Sequence, residues 1–204
     1  MEFSFASKQQ LLEALHILGV SAATVSILEE KIALQKLKSN TQLVRPGQIN
    51  THLYYVLSGG FVCRFISEDA EVERSINFYL NELHPIMACI DSYFAQTKTS
   101  CELRAIADST VLVIPKKELD LLIEKDAQIK MIFDTLLVKV LMEENDLKLK
   151  IIAYKPDALY QYLIKTFPMI VQKVPSKYIA ELMGISAEWL SKLKAKQKSA
   201  AGIS

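Results

Sequence analysis

The apolar residues of this chain change their spacing twice, and those two changes limit what it can fold into. Over the first thirty-odd residues Leu11, Leu12, Leu15 and Leu18 recur at helical spacing, and Val25, Ile27, Leu28 and Ile32 do so again after Gly19-Val20-Ser21. From about Ala33 the pattern breaks into short β-like runs: ALQKLK, TQLV, HLYYVLS, GFVCRFI, EVERSINFYL, CELRAIA and STVLVI. Turn signals part them, among them Arg45-Pro46-Gly47-Gln48, Ser58-Gly59-Gly60 and Ser67-Glu68-Asp69. Short strands at such close spacing predict a sandwich or barrel. Beyond Pro115 the helical period returns and holds to the end of the sequence.

In that last part Ile129, Phe133, Leu136, Val140 and Leu147 mark one seam at spacings of three, four and seven, and Leu137 and Leu141 widen it to a second flank. A helix apolar on two flanks needs cover on two sides, for example from its own β domain and from the same helix of a second subunit. That predicts a homodimer formed through the helix from about Asp126 to Lys150; a single wide core face within a monomer is the alternative. Tyr154-Lys155-Pro156-Asp157 starts a new segment, and Phe167-Pro168 leads toward two terminal helices. The expected class is α+β: a β-rich domain with N-terminal helices over 1–125, a dimerisation helix over 126–150 and an all-α domain over 151–204.

With 24 basic and 23 acidic residues the net charge is +1, so attraction to a polyanion must come from local clustering. Lys173 to Ser204 supplies such a cluster, with six lysines against two glutamates, a net +4. Cys63, Cys89 and Cys101 are widely spaced and form no CxxC or His-x-Cys pattern, which argues against a disulfide framework, a zinc site or any other metal site, and for a reduced cytoplasm. The cysteines are read as small core residues. The opening MEFSFASKQQLLEALHILGV breaks its apolar residues with Lys8, Gln9, Gln10 and Glu13, and no later segment reaches eighteen apolar residues in a row. Neither a signal peptide nor a membrane span is expected. Three scattered histidines, with no Gly-x-Ser-x-Gly, phosphate loop or HExxH, leave an enzyme reading unsupported.

The stretch VPSKYIAELMGISAEWLSKLKAK, Val174 to Lys196, carries the strongest motif. Pro175 sits where the first turn of a helix tolerates proline, and Ile179, Leu182 and Met183 supply an inward face. Gly184 ends that helix, Ile185 plugs the gap to the next, and Ser186 suits its N-cap. On the second helix Leu190 and Leu193 project inward, while Ala187, Glu188, Ser191, Lys192 and Ala195 share the opposite face. With Ala180 small where the helices approach, the spacing is that of a helix-turn-helix. A plain helical hairpin mimics parts of it.

A β-roll, a long seam-forming helix and a terminal helix-turn-helix together resemble the CRP/FNR family of transcription regulators over essentially the whole chain. LVRPGQINTHLYYVLSGGFVCRF is similar to the front of that family's cyclic-nucleotide-binding-like barrel, a double-stranded β-helix or jelly roll, with Gly47 and Gly59 at turns. CELRAIADSTVLVIPKKELDLL is similar to its closing strands and the run into the dimer helix. The resemblance implies double-stranded DNA as partner, with Glu188, Ser191 and Lys192 on the bases. Ala187 stands where the family carries a further basic residue. Glu can accept from cytosine N4 and Lys can donate to guanine O6 or N7, which agrees with that assignment. Lys177, Lys194, Lys196 and Lys198 are read as phosphate contacts or solvated charges, and Trp189 as a packing residue. Since only eleven residues follow Leu193, the wing hairpin of many relatives is expected to be absent. The resemblance leaves room for RNA polymerase and an unidentified small-molecule effector as partners, in the cytoplasm.

Family members that bind cyclic nucleotides cradle the phosphate with a Gly-Glu start to a short helix and an Arg-Ser/Thr-Ala run opening a strand. Here the corresponding PIMACIDSYFAQTKTSCELRAIAD has no glycine, Thr99-Ser100-Cys101 replaces the Arg-Ser-Ala run, and Arg104 is no obvious substitute. Control by cyclic AMP is therefore not expected. No cysteine precedes Cys63, unlike the iron–sulfur branch of the family, and His52 and His84 read as surface or hydrogen-bonded residues rather than haem ligands. No cofactor is expected. The second reading keeps the β-roll as a small-molecule or protein-binding module whose terminal helices have lost base readout.

Overall fold

The structure, a computed structural model, describes residues 5–67, 69 and 71–200, with side chains at the C-terminal end up to residue 197. Two helices, α1 (Lys8–Ile17) and α2 (Ala22–Lys31), precede eight strands: β1 (Ala33–Leu37), β2 (Gln42–Val44), β3 (His52–Ser58), β4 (Gly60–Ser67), β5 (Val72–Leu80), β6 (Ile86–Met87), β7 (Cys101–Ala105) and β8 (Ser109–Pro115). A short α3 (Ile90–Ala95) interrupts them between β6 and β7. Helices make up the rest of the described residues: α4 (Lys116–Lys125), α5 (Ala127–Ala153), α6 (Pro156–Thr166), α7 (Pro168–Lys173), α8 (Ser176–Met183) and α9 (Ala187–Ala200). The architecture is thus mixed α and β, with antiparallel sheets first and a run of helices after them.

The strands form two antiparallel sheets of four, ordered β1-β8-β3-β6 and β2-β7-β4-β5. Alternation along each strand decides what lies between them. Val56, Met87 and Val111 of the first sheet meet Phe61, Cys63, Leu103 and Ala105 of the second in one buried core. The outer face of the first sheet, through Tyr55, Leu57 and Leu112, is covered by α1, α2, α4 and the start of α5, which contribute Leu12, Leu28, Leu119, Leu122 and Ile129. The outer face of the second sheet is covered differently. Val62 and Phe78 pack into a third core with Leu147 of α5 and the buried residues of α6 to α9.

A bulge in β5 shapes that second outer face. Cys63 pairs with Asn77 but Arg64 pairs with Ser75, so Ile76 is the extra residue. One added residue exchanges the two faces for the remainder of the strand, and this is what sets Ser75 beside Arg64. At the turn from β3 to β4, Gly59 has φ 77, and a Cβ there would lie 2.2 Å from Ser109 Oγ and 2.5 Å from the Asp108 carbonyl oxygen. Only glycine fits.

α5 runs on to Ala153, past Lys150, and stops where Lys155 precedes Pro156, since a residue before proline is driven out of the helical region. Its start is held by Asp126, whose side chain accepts from the amides of Gln128 at 2.9 Å and Ile129 at 3.2 Å. The same carboxylate accepts from Thr24 Oγ1 at 2.7 Å and the Ser21 amide at 3.3 Å, so it ties the first turn of α2 to that of α5.

Those hydrogen bonds, the one from Thr24 foremost, hold the Asp126 carboxyl down at about 2, against an ordinary value of 3.8. A depressed carboxylate contributes stability above its unfolded value and loses it as pH falls through the folded one. Asp126→Ala should therefore cost about 1 kcal/mol at neutral pH, the usual loss for an N-cap, and the deficit should shrink between pH 4 and pH 2. Urea unfolding of both proteins across that range is the check; a deficit that does not change with pH would show that the carboxylate's charge is immaterial.

Candidate nucleic-acid interface

The interface begins with the way α8 ends. Gly184, at φ 67, takes the left-handed conformation and donates its amide to the Glu181 carbonyl at 3.2 Å, while the Ile185 amide reaches back to the Ala180 carbonyl at 3.0 Å. These paired bonds form the Schellman arrangement, which stops a helix and turns the chain sharply. Ser186 then caps α9: its Oγ accepts from the Trp189 amide at 3.1 Å. Pro175 lies one place earlier than expected, as the N-cap residue of α8. Ile179, Ala180, Leu182, Met183, Leu190 and Leu193 are all buried, so the two helices share one apolar core.

That packing leaves the other side of α9 open. Ala187, Glu188, Ser191, Lys192 and Ala195 are exposed together, which brings the three expected base-reading residues onto one solvent-facing strip. A hydrogen bond from Ser186 holds the Glu188 carboxyl below its usual range, with help from the charge of Lys192. It stays ionised and able to accept. Trp189, expected to pack, instead keeps 47 % of its surface exposed. The buried side of α9 is already filled by two leucines.

The expected phosphate-contacting lysines have neighbours within the chain. Lys196 Nζ lies 2.9 Å from Asp157 on α6, Lys194 Nζ donates to Ser176 Oγ, and Lys177 Nζ stands 4.0 Å from Glu181. Exposed pairs of this kind contribute little and exchange readily. The Lys198 side chain falls outside the described residues.

Behind the exposed strip, α8 is fastened to the β5 side of the second sheet by a cluster of charges for which the sequence patterns gave no sign. Arg64 of β4, its side chain only 7 % exposed, donates through Nη1 to Glu102 at 2.9 Å, through Nη2 to Glu73 at 2.6 Å and through Nε to Glu181 at 3.0 Å. Glu181 also accepts from Ser75 Oγ at 2.7 Å, and the Tyr178 ring centre lies 5.7 Å from the guanidinium carbon. Fully buried Glu102 takes further bonds from Arg104 at 2.8 Å and Gln42 at 2.6 Å. Burial would raise the Glu102 pKa, but hydrogen bonds from Arg104, Gln42 and Arg64 outweigh it and hold the group below the usual carboxylate range.

Inside the β domain, Thr99 and Arg104, which stand where relatives carry a phosphate cradle that was not expected here, are already engaged. Thr99 exchanges backbone bonds with Gly47 and Gln48, and its Oγ1 accepts from the Cys101 amide at 2.9 Å. Arg104 Nη1 donates to the Asn40 carbonyl at 3.1 Å. Between α1, β3 and α5 lies a cavity of about 140 Å³ whose walls, including Leu15, Tyr55, Phe94, Phe133 and Leu137, are almost wholly apolar. All three cysteines are buried in the core between the sheets. They gather in one core, which their spacing in sequence gave no reason to expect, and the neighbouring thiols of Cys101, then Cys89, together with burial push the Cys63 thiol well up.

No family model matches the sequence, and no curated protein matches it. Solved structures do match in shape. CLP of Xanthomonas campestris, a c-di-GMP-responsive global regulator, superposes with a TM-score of 0.64 at 17 % identity, over 89 % of this chain and 93 % of its own. FixK2 of Bradyrhizobium japonicum does so with a TM-score of 0.69 at 14 % identity, over 84 % and 86 %. A transcriptional regulator assigned to the CRP/FNR family, from Eubacterium rectale, gives 0.66 at 15 % identity, over 89 % and 85 %. The chain has the fold of CRP/FNR regulators along most of its length, as the sequence motifs implied. Identities this low establish likeness of fold.

Proposed function

We propose that this protein is a DNA-binding transcription regulator of the CRP/FNR type, acting as a homodimer on a near-palindromic operator and not controlled by cyclic AMP. The observation that carries the reading is the exposed strip of Glu188, Ser191 and Lys192 on α9, presented by a helix pair whose turn is fixed at Gly184 and Ser186. In this reading α8 and α9 are a helix-turn-helix, the two sheets are a jelly-roll sensor over 1–125, and 126–150 and 151–204 are the dimerisation and DNA-binding parts. The cavity beside α5 is where an unidentified effector would act. Ala187 and the internal partners of Lys194 and Lys196 favour the second reading, a β-roll module with degenerate readout. Pull-down of genomic DNA separates the two: recovery of a shared near-palindromic sequence supports the first, and featureless recovery the second.

The dimer rests on α5. Its inner flank, with Phe133, Leu136, Leu137 and Val140, lines the cavity, whereas Met131, Val138, Leu141, Met142, Leu149 and Ile152 remain more than half exposed. Those exposed residues recur at spacings close to three, four and seven, the pattern of a helix seam awaiting a like partner. A two-fold pair would set the two α9 strips about one DNA turn apart, roughly 34 Å. Sedimentation should give twice the chain mass at micromolar concentration, and Met142→Glu should halve it. A monomeric parent would remove the basis for palindromic recognition.

Base and phosphate contacts separate by their dependence on sequence. Lys192→Ala should cost about 1 to 3 kcal/mol on the preferred site and little on random DNA, whereas Lys194→Ala should weaken both and lower the salt dependence. Equal losses on both DNAs for Lys192→Ala would make it a phosphate contact.

Cyclic AMP and cyclic GMP should not bind. A cyclic phosphate facing Thr99 and Ser100, with Arg104 held by Glu102 and Asn40, would lie without a paired cation, a penalty of several kcal/mol. Calorimetric titration that saturates below about 100 µM, roughly −5.5 kcal/mol, would contradict this.

A further inference from the structure

We infer that Glu181 is a positioning residue, which through Arg64 and Ser75 holds the α8–α9 pair against the second sheet in the one orientation that lets both α9 strips of a dimer engage a whole operator. The inference rests on the DNA-binding reading above and adds what aims the readout helix. Glu181 touches none of the proposed base-reading residues, and of the expected phosphate contacts it approaches only Lys177, at 4.0 Å; it lies on the inner side of α8, with its side chain 16 % exposed.

The geometry argues for a specific fastening rather than a chance surface pair. A guanidinium is planar, and its donors suit two carboxylate oxygens at once. Here Arg64 Nε meets Glu181 Oε2 at 3.0 Å and Nη2 meets Oε1 at 3.3 Å, so the side-by-side contact fixes direction as well as distance. Ser75 Oγ bonds the same Oε2 at 2.7 Å. The fixed side is rigid, because Arg64 stands opposite Glu102 in the β4–β7 register and is bound to it, and Glu102 is held in turn by Arg104 and Gln42. The Ile76 bulge that turns Ser75 outward completes the socket.

The apolar contacts around the socket are less particular. Val62 and Phe78 share a core with Ile179, Leu182 and Met183, and such surfaces tolerate sliding or rotation without loss of burial. The charge cluster removes that freedom. With the pair docked, Glu188, Ser191 and Lys192 stay exposed, so the docked arrangement is one in which DNA can be read. Two strips must be held at fixed spacing to bind both halves of an operator, whereas one strip suffices for half of it. Loss of aim should therefore penalise whole-site binding and spare half-site binding.

The test uses the full-length protein with Glu181→Ala and the milder Glu181→Gln, a whole operator recovered by the genomic pull-down, and a DNA carrying a single half-site. For Glu181→Ala, affinity for the whole operator should fall about tenfold, within the usual range of coupling between sites, while half-site affinity stays unchanged. Hydrogen exchange should quicken at residues 178–183 and 75–78 but not in β3 or β8. Glu181→Gln, which keeps an acceptor for Ser75, should lie between. Equal losses on both DNAs would mean that the helix pair has simply loosened or unfolded, and unaltered exchange at 178–183 would mean that Glu181 fastens nothing; either result overturns the inference. If the parent itself prefers a whole site no more than a half-site, the regulator reading has failed before any variant is compared.

Discussion

The buried guanidinium of Arg64 sets the relation between the two halves of the molecule. Removing such a charge from water costs several kcal/mol, a cost offset only when close, well-directed partners surround it. Three elements supply them: Glu73 from β5, Glu102 from β7 and Glu181 from α8. Lysine could not substitute, since a single ammonium lacks the planar fork that reaches three carboxylates at once. The consequence is directional. Hydrophobic burial draws the terminal helices onto the second sheet without choosing their angle, and the ion cluster chooses it.

How much of this could be read from the sequence depended on whether the determining residues are neighbours along the chain. The turn between α8 and α9 was legible because Gly184, Ile185 and Ser186 act within a few residues of one another, and each forms the bond its chemistry requires. Of the eight strands among the described residues, seven were legible as short β-like runs parted by turn signals. The eighth, Ile86–Met87, is two residues long and has no period to detect. The socket was not legible: Arg64, Glu102 and Glu181 are ordinary charges at distant positions, and only strand register brings the first two together. The cysteines behave likewise. Their place in a core followed from their apolar character, but their gathering in the same core depends on how β4, β7 and the segment before α3 are laid side by side. Trp189 shows the converse failure: it was read as a packing residue, but Leu190 and Leu193 already fill the buried side of α9 and leave it half exposed.

α5 is the element that joins the parts of the molecule by contact. At 27 residues it spans about 40 Å, long enough to belong to every core outside the sheets. Ile129 lies in the core with α1, α2 and α4, Phe133, Leu136, Leu137 and Val140 face the cavity, and Leu147 enters the core of the terminal helices. Midway, Glu144 is bound by Asn77 of β5 at 2.7 Å. A single helix packed into both cores and bound to β5 passes strain from one to the other. Its remaining flank, the exposed row from Met131 to Ile152, is the surface on which a second copy would rest. Filling the cavity, pairing two chains and aiming α9 would then be coupled through one helix, with Arg64 and Glu181 as the second tether that turns motion of α5 into a choice between docked and released terminal helices.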